Sequence, residues 1–192
     1  MSRFRWIIDN GHGRDTKGKR SPEWDDSQLF EFKFNRQVAF YLFELLIQAD
    51  IDYSELVPEL KDISLRKRVK RAKKITKDVD KPCMFVSIHG NAFDDSDVNG
   101  IETFCYPESN SGRLMANMFQ EELIRETGWN DRGVKTAKYY VLRKTPMPAV
   151  LTENGFYTNF PECQKMLKDS WQKRIAYAHF MAIKKIEQKF SQ

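Results

Sequence analysis

Apolar positions along the chain follow two rhythms. Short unbroken runs at residues 4–8, 51–56, 83–88, 101–106, 134–142 and 149–152 are crowded with β-branched and aromatic side chains and predict strands. Between them, apolar residues recur at helical spacing. Phe30, Phe34, Val38, Tyr41, Leu42 and Leu45 mark a helix over 29–48, and Leu65, Val69, Ala72, Ile75 and Val79 a second over 65–79. Leu114, Met118 and Leu123 mark a third over 110–126, which Gly128 is placed to stop, and Trp171, Ile175, Ala178, Ala182 and Ile186 a last one over 170–189. Asp26 and Ser27 are placed to cap the first helix, residues 14–26 read as a polar loop, and residues 129–133 read as a turn.

That order of strands and helices is an α/β order, and strands that do not alternate in polarity belong in a sheet covered on both faces. With 192 residues the chain is expected to form one domain, 1–192. The neighbouring runs around His89 and Ile101 predict a mixed sheet. A formal charge of +5 agrees with an anionic partner such as nucleic acid, a membrane surface or an acidic wall polymer, and selects none of them. Cys83, Cys105 and Cys163 have neither zinc-knuckle nor redox-pair spacing and are expected as buried free thiols. No apolar signal region opens the chain and no apolar run is long enough to span a bilayer, so a soluble protein without an encoded signal is expected.

Three of the strand-like runs stop at a metal-competent or acid-base residue beside glycine. The first ends in Asp9, Asn10, Gly11 and His12, the second in His89 and Gly90, and the third in Glu153, Asn154 and Gly155. Strand ends of an α/β sheet open onto the crevice where such folds bind ligands. Two imidazoles and a carboxylate with an open fourth position form a catalytic zinc set, and Glu31, one turn before Asn35 on its helix, is the best-placed carboxylate. Glu153 suits a proton acceptor that later donates to a leaving nitrogen. Strand-end histidines also serve as hydrogen-bonded structural groups, and without a contiguous motif spacing alone leaves both readings open.

The pieces Ile8-Asp9-Asn10-Gly11-His12-Gly13, Glu31 with Asn35, Ser87-Ile88-His89-Gly90-Asn91-Ala92, Asp131-Arg132-Gly133-Val134-Lys135 and Pro148 to Phe156 with Asn159 occur in an order that resembles the zinc-dependent N-acetylmuramoyl-L-alanine amidases. Residues 65–72 resemble that family's helix before the middle histidine. The resemblance extends to the catalytic domain shared by cell-separation amidases and phage or prophage endolysins. It implies a three-layer sandwich with a twisted, mostly parallel six-stranded sheet flanked by helices. It implies one zinc ion per chain on His12, Glu31 and His89, with Glu153 as the catalytic glutamate. The implied substrate is peptidoglycan, cut at the amide between the lactyl group of N-acetylmuramic acid and L-alanine by water acting with the metal and Glu153. Asn91, Arg132 and Asn154 are candidates for orienting ligands or substrate. The sequence departs from the family at Asn10, where proline is usual, at Gly90, where alanine is common, at Asn154, and at Ala72-Lys73, where the family has an Ala-Asn pair.

Two rivals stand beside the amidase: a zinc peptidase cutting another stem amide, and a non-catalytic module binding wall or polyanion. Retention of a catalytic base favours the enzyme, since binding would not require it. The basic run from Arg66 to Lys77 reads first as a solvated helix face, and without interleaved aromatics it is not expected to bind nucleic acid. His179 reads as a structural residue of the last helix. A monomer acting at the cell wall is the default expectation.

Overall fold

The computed structural model describes residues 2–24 and 27–189. Its centre is a six-stranded sheet built from β1 (Arg5–Asn10), β2 (Tyr53–Glu55), β3 (Cys83–Asn91), β4 (Ile101–Cys105), β5 (Asp131–Thr136) and β6 (Ala149–Phe156), in the spatial order β2-β1-β3-β6-β4-β5. Helices α1 (Glu31–Gln48), α2 (Leu65–Asp78), α3 (Asn110–Thr127), α4 (Tyr140–Lys144), α5 (Phe160–Met166) and α6 (Asp169–Lys189) complete it. The first four strands in spatial order are parallel, and β4 runs antiparallel to β6 with β5 parallel to β4. The sheet is therefore mixed, but β3 and β4 are not neighbours as their sequence adjacency suggested. β6 lies between them, carried there by α3, β5 and α4.

Successive side chains of a strand point to opposite faces, and here both faces are apolar. Trp6, Ile8, Met84, Val86, Ile88 and Val150 join the core under α1, α3 and α6, whereas Ile7, Phe85, Phe104 and Leu151 join a second core with Val69 of α2 and Val141 of α4. This is the three-layer sandwich, and it explains why the strands read as unbroken apolar runs. All three cysteines are buried and unpaired.

Several boundaries differ from the sequence expectation. Helix α1 begins at Glu31, and its first turn is held by the loop before it, because the Glu31 N–H donates to the Lys19 carbonyl at 3.0 Å. Ser27 does not cap it, since its hydroxyl donates to the Trp24 carbonyl, and Asp26 lies outside the described residues. Strands β3 and β6 run on past His89 and Glu153, with a bulge between His89 and Asn91 that lets the two strands stay paired. The expected turn at 129–133 already enters β5 at Asp131, and the expected extended stretch 134–142 breaks after Thr136 to form α4. Helix α5 was absent from the sequence expectation altogether. It is capped by Asn159, whose Oδ1 accepts the Glu162 N–H at 3.1 Å, with proline in its first turn.

The beginning of β1 is fastened to the end of α6. Glu187 accepts from the Arg3 N–H at 2.7 Å and from the Trp6 indole at 2.8 Å. None of the helices is long and apolar enough to cross a membrane among the described residues.

Candidate metal centre

The two-residue period of the strands decides where the chemistry lies. Asp9 follows Ile7, Ser87 and His89 follow Phe85, and Glu153 follows Leu151, so all four project on the α2–α4 face. Strand register then sets them side by side, Asp9 opposite Ser87 and His89 opposite Glu153.

His12, two residues beyond β1, adopts a left-handed backbone with φ of 66°. Such a conformation in a non-glycine residue costs on the order of 1–3 kcal/mol and persists only where neighbours enforce it. They do so here: the Asn35 amide donates to the Gly11 carbonyl at 3.0 Å, and Arg68 donates to the His12 carbonyl at 3.3 Å. Gly11 is required because a Cβ at that position would overlap the His89 ring.

His12 Nε2 lies 3.2 Å and His89 Nδ1 3.0 Å from the same carboxylate oxygen, Oε1 of Glu31. Their rings meet edge to face at 5.0 Å between centroids. Glu31 is fully buried, and although burial acts against its charge, the two imidazoles hold its carboxyl well below the usual carboxylate range. Its second oxygen accepts from the Tyr157 hydroxyl at 3.3 Å. The three donor atoms fall within 4.8 Å of one another, and two imidazole nitrogens with one carboxylate oxygen form a donor set that fits a divalent metal ion.

A buried chain of polar groups sets the orientation of His89. Arg68, on α2, binds Asp9 and Asp62; Ser87 Oγ lies 2.8 Å from Asp9 Oδ2, and His89 Nε2 lies 3.1 Å from Ser87 Oγ. Asp9, held by the guanidinium, is an acceptor, so the serine hydroxyl donates to it and must accept from the imidazole. That places the ring proton on Nε2 and leaves the Nδ1 lone pair facing Glu31 and His12.

Glu153 faces the same cavity, of about 400 Å³, which is also lined by His12, His89, Lys19, Arg68 and the pair Tyr139 and Tyr140. Burial pushes its carboxyl well above the usual range, and the Glu31 charge adds to the effect. Its Oε2 is buried without a hydrogen-bond partner among the described residues. Such a group is costly unless something else enters the cavity to meet it.

The remaining candidates divide. Asn91 and Arg132 converge on Glu102, the Glu153 partner across β4, with bonds of 2.9 Å each, and Lys135 pairs with the same carboxylate. Asn154 is fully buried and donates to the His89 carbonyl at 2.9 Å, so it ties β6 to β3 behind the ligand. Glu102, Arg68, Asp9, Ser87 and Tyr157 were given no role by sequence reasoning. For Asp9, Ser87 and Glu102 the available signal was charge or hydroxyl inside otherwise apolar strands, where a polar residue needs a partner; Arg68, expected on the solvated face of its helix but buried, and Tyr157, just past β6, carried no such signal.

A model of the family described as N-acetylmuramoyl-L-alanine amidase matches residues 7–185. An uncharacterized cell wall amidase of Bacillus anthracis is 36% identical over 189 residues, covering 92% of this chain and 34% of its own. N-acetylmuramoyl-L-alanine amidase LytC of Bacillus subtilis is 34% identical over 180 residues, covering 90% of this chain and 33% of its own. The crystal structure of an N-acetylmuramoyl-L-alanine amidase from Clostridium difficile 630 superposes with a TM-score of 0.86 at 28% identity, covering 100% of both chains. The chain thus spans about a third of the length of the two Bacillus relatives and the whole of that solved structure.

Proposed function

The chain belongs to the N-acetylmuramoyl-L-alanine amidase family, and from that premise we propose that it is a zinc-dependent hydrolase cutting the amide between the lactyl group of N-acetylmuramic acid and L-alanine in peptidoglycan. The observation that carries the reading is the convergence of His12, Glu31 and His89 on one point beside the unpartnered carboxyl of Glu153. One zinc ion per chain would be held by His12 Nε2, Glu31 Oε1 and His89 Nδ1. When bound, zinc supplies Lewis acidity, which acidifies a water molecule and polarises an acyl oxygen.

The chain's own residues supply the rest. Glu153 accepts a proton from the attacking water and returns it to the alanine nitrogen as the C–N bond breaks, leaving a lactyl carboxylate and a free amine. Its raised proton affinity suits a group that must both take and give a proton near neutral pH. Tyr139 and Tyr140 line the cavity beside Glu153. Glu102 holds Arg132 and Asn91 in fixed orientations next to Glu153, so these residues act through the carboxylate that binds them.

The test joins metal analysis with mass spectrometry of muropeptides after digestion. Wild type should carry about one zinc per chain and release stem peptides with a free L-alanine amine. His89→Ala should lose the metal. Glu153→Ala should keep it and lose about 10²- to 10⁴-fold in kcat, the range general acid-base groups supply. Intact muropeptides from zinc-replete wild type would refute hydrolysis, and cleavage between stem amino acids would move the reading to a peptidase.

A further inference from the structure

Helix α2 separates its cations by direction. Arg68 turns inward to Asp9 and Asp62, and Arg71 pairs with Glu59. Arg66, Lys67, Lys70, Lys73, Lys74 and Lys77 are exposed and line a groove of about 610 Å³ together with Val69 and Tyr140. Lys74 pairs with Asp78, and the other five form no ion pair with any described residue. From Arg66 to Lys77 the row rises about 16 Å, or three turns, giving a positive charge or two at each turn.

Tyr140 lines both this groove and the catalytic cavity, so the two adjoin at that side chain. A chain lying along α2 would pass the cavity mouth. A row of unpaired cations at a repeat of about 5 Å fits a flexible polymer with one anionic charge per short repeat. A single aromatic ring, Tyr140, lines the groove, so it offers no succession of stacking platforms for the bases of single-stranded nucleic acid. A polymer whose phosphodiesters are joined by small polyols needs none.

We propose that the groove between α2 and Tyr140 binds a linear polyol-phosphate polymer of the cell wall and so anchors the catalytic cavity against its surface. The inference concerns a face outside the metal centre, and it stands or falls separately from the bond that the enzyme cuts.

The experiment measures binding of the full chain to purified poly(glycerol phosphate) across a salt series, and cleavage of soluble muropeptides in parallel. The variant is K70E/K73E/K77E. The wild type should bind at least about tenfold more tightly than the variant, and removing three contacts should flatten the salt slope by about two. Both should cleave soluble muropeptides at equal rates, because these three residues do not line the catalytic cavity. If charge reversal disturbs folding, K70Q/K73Q/K77Q with unchanged circular dichroism gives the same comparison. Equal polymer affinity of variant and wild type would overturn the proposal. So would displacement of the polymer by a single-stranded oligonucleotide at a lower phosphate concentration, which would assign the groove to nucleic acid.

Discussion

Ser87 offers the sharpest test at the scale of single residues, because it touches neither Glu31 nor His12. Its hydroxyl sits between Asp9 and His89, at 2.8 and 3.1 Å, donating to the first and accepting from the second, and so fixes the orientation of the imidazole. Ser87→Ala removes the acceptor that keeps the ring proton on Nε2. Metal affinity should fall 10- to 100-fold, the usual effect of losing a partner behind a ligand. A chelator competition assay reads this without reference to turnover, and unchanged affinity would refute that role. Gly11→Ala should remove metal binding outright, since the new methyl group occupies the place of the His89 ring. His12, His89 and Glu153 stood out in the sequence as candidates because each comes where an apolar run stops beside glycine. Arg68 and Glu102 were not, because their partners Asp9, Asn91 and Arg132 come within reach only once strands and helices are in register.

Among the elements, α5 shows where pattern reading stops. It has seven residues, about two turns, and two turns are too few for a hydrophobic period to declare itself. Its start signal was nonetheless present in Asn159, Pro161 and Glu162. The short helix matters because the Glu162 carboxylate accepts the N–H groups of Gly100 and Phe156, at 2.8 and 2.7 Å, and so pins the start of β4 to the end of β6. Asn159→Ala removes the cap and should lower stability by about 1 kcal/mol. Urea unfolding measures it, and a shift indistinguishable from zero would show that the cap is dispensable. The longer helices were legible because three or more turns of apolar spacing survive any single exception. Helix α4, with five residues, was not.

For the whole molecule, pH acts on the core through His179. It is fully buried between sheet and α6, with Nδ1 2.8 Å from the Ile175 carbonyl and Nε2 2.9 Å from Thr152 Oγ1. Burial lowers its pKa from 6.5 to about 4. Between those values the unfolded chain binds a proton that the native state refuses, so stability is full above pH 6.5 and is lost as pH falls toward 4. From pH 7 to 5 the loss assignable to this residue is about 2 kcal/mol. Comparing urea midpoints of wild type and His179→Gln at both pH values isolates it. An equal decline in the two proteins would assign the acid sensitivity elsewhere. The layer order was legible from the sequence, but the place of β6 between β3 and β4 was not, since pairing between distant strands leaves no local trace.

Glu187 binds the backbone at Arg3, so the first and last described segments lie together where β1 begins, whereas His12 lies beyond the other end of that strand. Six extended residues separate the two places by about 20 Å. The segments at Ser2 and Glu187 therefore share one side of the molecule, clear of the cavity mouth.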